Sequence, residues 1–413
     1  MPKILVITRI YTSMLESFKT KTWQPTGMPG YYKLLEGLDK EWEVDAICLG
    51  KIPHRGIDKR EFHKFDNSDV KFHVLPYNNV AILGRYLSRV INEIEQFFSC
   101  LSIFMKNDYD LVYVDRVNIV YGAIFATFFR KKVIVRLFGV CLLIKRMEGF
   151  KKWLKEPLRY LSFKAPFKYI ICSKDGSDAK HFFKKFVNKR IPYEILLNGV
   201  DRTEDSGLSK DDTSYLRRKY NIPKERKIIL FLSRLAEDKN PVLFVKALSE
   251  LRKRCSNFFA VMVGHGPLKS ALLEEIGKNR LEDFVKIEDA VEHNIVYKYF
   301  HSTDIYVSLS SMGNLCNTVL EAINAGKCIV TFQKDETGHT DLDTAEILSD
   351  KAIFIDKGRI LEELPGVLER LLKNNDRIKE LSVLTRGLSS GLLKSWDERI
   401  EYEIEIFRRI INS

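Results

Sequence analysis

The chain has 413 residues, of which 45% are hydrophobic and 30% are charged, a composition typical of globular proteins with room for two cores. No low-complexity tract, secretory signal pattern or apolar run long enough to cross a bilayer is visible, so we expect a cytosolic protein. Seven widely spaced cysteines without a Cys-x-x-Cys pair predict neither a disulfide framework nor a zinc ribbon.

The excess positive charge lies in the first half of the chain. Residues 1–200 hold 34 Lys and Arg against 20 Asp and Glu, whereas residues 201–413 hold 33 against 35. This asymmetry predicts two domains with different partners, the first of which faces an anionic surface or substrate.

Strands and helices alternate along the first half. The sequence predicts strands at 3–8, 44–49, 71–76, 111–114 and 132–137, and helices near 80–104 and 117–130. This order is typical of an α/β domain with a parallel, doubly wound sheet. Gly27 and Gly30 precede an amphipathic helix, where backbone could approach a phosphate or a sugar, although such glycines more often only form a turn.

Two basic segments of the first half also carry aromatic residues. Residues 145–168 contain eight basic and two acidic residues, and the segment 181–190, HFFKKFVNKR, follows. At helical spacing, the first segment places on one side Phe150, Trp153, Leu154, Leu158 and Leu161. This pattern favours peripheral attachment to an anionic membrane surface; the alternative is a solvated face over an ordinary core stripe. We expect no nucleic-acid partner, because no such binding signature is visible.

The polar segment after NGVD (198–201) predicts a linker, so we place the domain boundary near residue 200. The strand 228–233 that follows leads through Arg234 and Lys239 into a helix, which puts two cations at the carboxyl edge of a sheet. Such cations can hold a phosphate. Gly264 and Gly266 form a tight turn after the next strand, where they are either structural or lie against a bound nucleotide.

The stretch 304–330, DIYVSLSSMGNLCNTVLEAINAGKCIV, reads as a strand, a small polar loop, a helix from Thr318 and a second strand. The loop lies at the carboxyl edge of the predicted sheet, and the first amides of the helix suit a phosphate. We therefore predict that a nucleotide contacts the segment consisting of Asn314, Leu315, Cys316, Asn317 and Thr318.

Several motifs in a fixed order resemble those of GT-B retaining glycosyltransferases, especially glycosyltransferase family 4 (group 1). They cover about residues 194–350 and read NGVD, SRLAEDK, VGHGPLKSAL, VKIEDAV, DIYVSLS and NTVLEAINAGKCIV. The resemblance implies two Rossmann-like domains facing a cleft, with residues 1–200 binding the acceptor and 201–393 the nucleotide-sugar donor. The SWDERIEYEIEIF motif implies a last helix, about 394–413, that crosses back to the first domain.

The resemblance also implies residue roles. Arg234 and Lys239 would stabilise the departing diphosphate as catalytic residues, with help from the amides at the helix start, so neither a metal nor a cofactor beyond the nucleotide sugar is expected. Glu321 would take the ribose hydroxyls; the alternative is a capping box with Thr318. We interpret the pair Asp341-x-Asp343 as a solvated loop rather than as metal ligands.

Two positions depart from the family pattern. Gly313 stands where a glutamate often contacts the donor sugar, and Asn314 and Asn317 are candidates to replace it. The pair Phe138-Gly139 stands where a His-Gly pair is common, with Gly139 in the predicted acceptor or phosphate loop. Arg136 on the preceding strand is interpreted as a strand-edge charge. These departures leave reduced activity open.

The sequence thus predicts a retaining enzyme that moves a hexose from a UDP- or GDP-sugar to an acceptor. We expect a lipid-linked saccharide acceptor, used for a surface polysaccharide at the inner face of the plasma membrane. Two alternatives remain, a GT-B nucleotide-sugar epimerase and a non-catalytic subunit that binds a nucleotide sugar.

Overall fold

The computed structural model describes residues 1–11, 14–25, 28–52, 59–78, 84–149, 156–201 and 209–413, with backbone alone at 85 and 86. These residues fall into two compact units. Unit 1 comprises Met1–Ser173, Ala179–Leu196 and Trp396–Ser413, and unit 2 comprises Lys174–Asp178 and Leu197–Ser395. Each unit is built on one sheet with a hydrophobic core on each face.

The strands, in chain order, are β1 Lys3–Arg9, β2 Glu43–Leu49, β3 Glu61–Phe65, β4 Ser68–Leu75, β5 Leu111–Asp115, β6 Val133–Leu137, β7 Tyr169–Ser173, β8 Tyr193–Leu196, β9 Lys227–Leu232, β10 Phe258–Val263, β11 Val285–Glu288, β12 Ile305–Val307, β13 Cys328–Phe332 and β14 Ile353–Ile355. The helices are α1 Leu15–Thr20, α2 Pro29–Asp39, α3 Gly84–Met105, α4 Ile119–Phe128, α5 Cys141–Met147, α6 Pro157–Ser162, α7 Ala179–Phe186, α8 Lys210–Thr213, α9 Tyr215–Lys219, α10 Pro241–Arg252, α11 Lys269–Lys278, α12 Val296–His301, α13 Asn317–Asn324, α14 Leu342–Leu348, α15 Ile360–Lys373, α16 Asn375–Leu392 and α17 Trp396–Asn412.

In unit 1 the described strands form an eight-stranded sheet in the order β3-β4-β2-β1-β5-β6-β7-β8. The edge strand β3 runs antiparallel to β4, and the other neighbours pair in parallel. All residues of β5 and β6 are buried, because helices cover both faces of a parallel sheet and its central strands must be apolar throughout. The predicted doubly wound α/β domain is confirmed.

In unit 2 the described strands form a six-stranded parallel sheet in the order β11-β10-β9-β12-β13-β14. Counted along the unit, this is the order 3-2-1-4-5-6 of a Rossmann sheet. The central strand β10 is buried along its whole length. The short segment Lys174–Asp178 also belongs to this unit, although no sequence signal indicates it.

Helix α17 returns to unit 1, as the sequence predicts for the last helix. It packs on α2, where a Cβ atom added at Gly37 would lie 2.7 Å from Cγ2 of Ile400. The absence of a side chain at this position therefore allows the two helices to approach closely.

Of the two segments predicted to touch a membrane, the structure describes the first in part and the second completely. Residues 150–155, which include Trp153, lie outside the described residues. In α7 the rings of Phe182, Phe183 and Phe186 are buried in the core, so the prediction that the segment 181–190 offers aromatic residues to a membrane was wrong. Among the described residues, no helix combines the length and the apolar character needed to cross a bilayer.

Candidate active site

The strand order of unit 2 indicates where a ligand would bind. Successive strands are added on one side from β9 to β11 and on the other side from β12 onward, so β9 and β12 flank the point of reversal. They pair in parallel, with Ile305 opposite Ile229 and Tyr306 opposite Leu230. In open α/β sheets, ligands bind outside the carboxyl ends of the strands at this point. The loops after β9 and β12 therefore form the candidate site.

The two predicted cations lie in the loop after β9 and share one carboxylate. Lys239 donates from Nζ to Oγ of Ser310 at 2.9 Å, and its Nζ lies 3.8 Å from Oδ2 of Asp238. Arg234 donates from Nη2 to the same oxygen of Asp238 at 3.0 Å, while 68% of its side chain is exposed. Lys239 thus contacts the loop after β12, and Arg234 is accessible to an anion.

Asn240 ties the two loops together. Its backbone has a φ of 53°, and its Nδ2 donates at 2.9 Å both to the carbonyl of Leu309 and to Oγ of Ser311. The amide of Ser311 donates to the carbonyl of Asp238 at 2.8 Å. Asn tolerates a left-handed backbone better than most residues, which explains its place before Pro241, the first residue of α10. The sequence alone does not predict this contact, because it joins residues about 70 positions apart.

Gly264 and Gly266 let the loops after β9 and β10 touch through their backbones. A Cβ atom at Gly264 would lie 1.9 Å from the carbonyl oxygen of Ser233, and one at Gly266 would lie 2.3 Å from that of Leu235. No side chain fits at such distances. Packing within unit 2 therefore explains why both positions are glycine.

Gly313, the position where the family often has a glutamate, lies directly against Lys174–Asp178. Its φ is 119°, and a Cβ atom would lie 2.6 Å from the carbonyl oxygen of Asp175. On the opposite side, a Cβ atom at Gly176 would lie 2.6 Å from the amide nitrogen of Asn314. The amide of Leu315 donates to the carbonyl of Asp175 at 3.1 Å. The two glycines therefore permit a backbone contact that a glutamate would prevent.

Asn314 is completely buried and holds the loop in place. Its Oδ1 accepts from Oγ of Ser308 at 2.8 Å and from the amide of Ser310 at 2.9 Å, while its Nδ2 donates to Oδ2 of Asp341 at 2.9 Å. Its amide also donates to Oδ1 of Asp341 at 2.7 Å. These bonds assign Asn314 a positioning role, whereas the prediction had it contact the donor.

The pair Asp341 and Asp343 is buried, with exposed fractions of 1% and 9%. The prediction that it forms a solvated loop was therefore wrong, because Asp341 turns inward to bind Asn314. Burial raises the pKa of Asp341 to about 6.

The N-terminus of α13 lies next to these loops. Cys316 is its N-cap residue, and within the described part of the chain no side chain caps this end. Asn317 accepts through Oδ1 from Nδ2 of Asn198 at 2.7 Å, and Thr318 accepts through Oγ1 from the hydroxyl of Tyr306 at 2.8 Å. The positive end of the helix dipole is thus available to an anionic group.

Glu321 lies one turn further along α13 and is 16% exposed. Its Oε1 lies 3.9 Å from Nδ1 of His293, whose Nε2 lies 2.5 Å from Oδ2 of Asp201. Burial raises the pKa of Glu321 to about 7, with His293 opposing the shift. The alternative of a capping box with Thr318 was wrong, because the helix begins at Asn317 and its N-cap residue is Cys316, so Thr318 lies inside the first turn. A carboxylate held at this depth can accept hydrogen bonds from the hydroxyls of a ligand.

Comparisons with known proteins identify the domain that holds this site. The family model of glycosyl transferases group 1 matches residues 212–380. Residues 212–380 form a group 1 glycosyltransferase domain.

Curated relatives match over part of their length. The 2-deoxystreptamine N-acetyl-D-glucosaminyltransferase of Niallia circulans is 26% identical over 157 residues, which cover 38% of each chain. The alpha-monoglucosyldiacylglycerol synthase of Streptococcus pneumoniae is 26% identical over 163 residues, which cover 39% of this chain and 36% of that enzyme. The alignments thus span little more than a third of these two relatives.

The fold extends beyond the group 1 domain. The crystal structure of Anabaena Alr3699/HepE in complex with UDP and glucose aligns with a TM-score of 0.69 and 14% identity. The alignment covers 99% of this chain and 100% of that one. The whole chain therefore has the GT-B fold.

The predicted glycine loops of unit 1 lie outside the group 1 domain. Gly27 is not among the described residues. Gly30 is in the first turn of α2, where a Cβ atom would lie at an ordinary 3.6 Å from the ring of Trp396. Gly139 follows β6 with a φ of 93°, and its carbonyl accepts from Nη1 of Arg116 at 3.2 Å. The positive φ therefore explains the glycine at position 139, whereas Gly30 lies in a packed helix.

Arg136 is buried, contrary to the prediction of a strand-edge charge. Its Nε lies 3.5 Å from Oε1 of Glu403, and Nη1 of Arg399 lies 2.8 Å from Oε2 of the same carboxylate. The guanidinium also lies 5.0 Å from the ring centre of Phe138. Since Glu403 and Arg399 belong to α17, this ion triad joins the last helix to the sheet of unit 1.

Proposed function

We propose that the chain is a retaining glycosyltransferase that moves a hexose from a nucleotide sugar of the UDP or GDP type to an acceptor. One observation carries this proposal: Arg234 and Lys239 lie in the loop after β9, where Lys239 contacts the loop after β12, in the same unit as the uncapped N-terminus of α13. Cations and helix amides in this arrangement suit a diphosphate. UDP is the first nucleotide to test, because the HepE structure has UDP and glucose bound.

In the proposed reaction, the bond from the anomeric carbon to the diphosphate oxygen breaks while the acceptor hydroxyl oxygen forms a new bond on the same face of the sugar. The acceptor hydroxyl passes its proton to the departing diphosphate. Negative charge grows on the departing diphosphate, and Arg234 and Lys239 stabilise it. Because these two cations supply positive charge, we propose that no metal is needed. Glu321 accepts hydrogen bonds from the ribose hydroxyls and fixes the nucleoside.

The acceptor belongs to the proposal as well. We propose a saccharide held on a lipid and recognised by unit 1, used in building a surface polysaccharide at the inner face of the plasma membrane. Two observations support a lipid-held acceptor, the positive charge of residues 1–200 and the named product of the Streptococcus pneumoniae relative, a glucosyldiacylglycerol.

The test is calorimetric titration of UDP, GDP and ADP into the wild-type protein and two variants, Lys239→Ala and Glu321→Ala. Loss of a hydrogen bond to a charged group is worth about 1.5–3 kcal/mol, so each variant should bind the preferred nucleotide roughly 10-fold to 150-fold more weakly. Lys253→Ala, at the far end of α10, is the matched control and should bind like the wild type. Equal affinity in all four proteins, or no binding at all, would contradict the donor site.

One observation favours a second candidate, a non-catalytic subunit that binds a nucleotide sugar. Gly313 has no carboxylate for the donor sugar, and the backbone of Asp175 fills the space in which one would begin. Turnover separates the two candidates. Release of UDP from UDP-glucose or UDP-N-acetylglucosamine in the presence of lipid-linked saccharides supports the transferase. Tight nucleotide binding without release with any acceptor supports the subunit.

A further inference from the structure

A pocket lies at the carboxyl edge of the unit 1 sheet. It encloses about 380 Å³, within the size range of small-molecule sites, and its lining includes Gly50 after β2, Tyr77 after β4 and Val117 after β5. The strand order of unit 1 reverses between β1 and β5, so the pocket lies near the point at which ligands bind in open α/β sheets. We call it the α3 pocket; its charged and amide-bearing lining residues are Lys51, Arg89, Asn92, Glu93, Gln96 and Arg159.

Helix α3 contributes two buried amide side chains to this pocket. Asn92 and Gln96 are 2% and 3% exposed. Gln96 donates from Nε2 to the carbonyl of Gly50 at 2.8 Å and to the carbonyls of Leu75 and Pro76 at 3.2 Å, which fixes the ends of β2 and β4 against the helix. Its Oε1 accepts no hydrogen bond from any residue that the structure describes. A buried amide oxygen without a donor in the lining of a pocket is suited to a hydroxyl group of a ligand.

One of the three cations in the lining is neutralised inside the pocket. Nζ of Lys51 lies 3.2 Å from Oε1 and 3.1 Å from Oε2 of Glu93. The hydroxyl of Tyr121 also donates to Oε2 of Glu93, at 3.2 Å. This carboxylate is therefore fully engaged, and together with Lys51 it adds no net charge to the pocket.

The two arginines of the lining are only partly compensated. Arg159 pairs with Glu156, but Oε1 of the same carboxylate lies 3.1 Å from Nη1 of Arg146. Arg89 is exposed, and none of the described residues pairs with it. Together with the lysine pair, four cations stand against two carboxylates, which leaves a balance of +2. Guanidinium groups with spare donors recognise carboxylates and phosphates.

We propose that the α3 pocket binds an acidic group, a carboxylate or a phosphate, on the saccharide acceptor. Arg89 and Arg159 donate to the oxygens of the acidic group, and Oε1 of Gln96 accepts from a sugar hydroxyl. A bare anion would neither fill a pocket of about 380 Å³ nor supply a hydroxyl to Gln96. The inference rests on the proposed function, because it specifies the chemical class of the acceptor.

The experiment is a ligand-observed NMR titration of the full chain at pH 7 with three probes of similar size, D-glucuronate, D-glucose 1-phosphate and D-glucose. We expect a Kd of about 1 mM for at least one acidic probe, which is typical of a ligand this small, and binding of glucose at least about ten-fold weaker. Arg89→Ala should weaken binding of the acidic probe by about ten-fold or more. The matched control is Arg60→Ala, since Arg60 is half exposed, pairs with Glu95 and does not line the α3 pocket. The control should bind all probes like the wild type.

A second variant keeps the test independent of folding. Arg89→Lys keeps the charge but not the forked donors, so it should recover part of the affinity that Arg89→Ala loses. Preference for one acidic probe over the other identifies the acidic group. Wild-type protein that binds glucose as tightly as both acids, or an Arg89→Ala protein that binds the acids like the wild type, overturns the proposal. Inorganic phosphate that binds as tightly as glucose 1-phosphate overturns it too, because the sugar would then contribute nothing.

Titration of UDP separates this inference from the donor site. Arg89→Ala should bind UDP like the wild type, and a loss of UDP affinity would assign the α3 pocket to the nucleotide and overturn the proposal. A wild type that binds UDP but neither acidic probe refutes the acidic acceptor and leaves the transferase intact. A wild type that binds an acidic probe but no nucleotide refutes the donor site and leaves the α3 pocket as a site for acidic saccharides.

Discussion

Replacing Gly313 tests whether backbone packing, rather than chemistry, excludes a side chain from this loop. At a φ of 119°, a residue other than glycine costs on the order of 1–3 kcal/mol. The added Cβ of Gly313→Ala would also lie 2.6 Å from the carbonyl oxygen of Asp175, and relieving an overpacked contact with backbone costs about 1–3 kcal/mol. The expected loss is therefore about 2–6 kcal/mol. Gly313→Glu, which restores the carboxylate common in the family, should lose at least as much.

The assay is differential scanning calorimetry of the unit 2 transition. With an entropy of about 2.1 cal/mol/K per residue and roughly 200 residues in unit 2, the loss lowers its Tm by about 5–15 °C. Gly387→Ala is the matched control, because it lies in α16 with no atom within 4 Å of the new Cβ, and should raise stability by about 0.5–1 kcal/mol. A Gly313→Ala protein with an unchanged Tm, or a Gly313→Glu protein that is more active, would refute the reasoning.

Three further predictions follow from buried or strained groups. Because burial raises the pKa of Glu321 from 4.5 to about 7, the folded chain keeps a proton that the unfolded chain releases, so stability falls by up to about 3 kcal/mol as pH rises from 4.5 to 7. Glu321→Gln should flatten this dependence of stability on pH in urea melts, and an unchanged dependence would contradict the raised pKa. The same substitution should abolish the gain in UDP affinity that we expect above pH 7, where the carboxyl group of Glu321 is ionised. Glu403→Gln leaves two buried arginines without a carboxylate and should cost about 3–5 kcal/mol in urea melts, whereas Glu401→Gln, exposed on the same helix, should cost less than about 1 kcal/mol. Asn240→Ala should lower the Tm more than Asn240→Gly does, since glycine tolerates the φ of 53°; equal melting temperatures would contradict this strain argument. Both substitutions should weaken UDP binding, because they remove the hydrogen bond that holds the loops after β9 and β12 together.

The sequence predicted those features that depend on local pattern. Alternating apolar strands and amphipathic helices predicted both parallel sheets, and the strand end before Arg234 predicted its place at the carboxyl edge. This works because burial on both faces requires apolar strands, and because parallel strands bring their ends to one edge.

Features that depend on contacts between distant segments escaped the sequence analysis. Asp238 and Asn240 look like ordinary turn residues until the loop after β12 lies against them. The burial of Asp341 follows from its bonds to Asn314, 27 positions away.

The ion triad between Arg136 and α17 has a consequence for the order of events at the ribosome. The partners of Arg136 are translated about 200 residues after the main part of unit 1 ends at Leu196, a delay of roughly 10–40 s at 5–20 residues per second. During that interval the nascent sheet holds an uncompensated charge, and the surface of α2 that receives Ile400 is uncovered. Unit 1, whose synthesis begins first, therefore receives its last helix only after unit 2 has been synthesised.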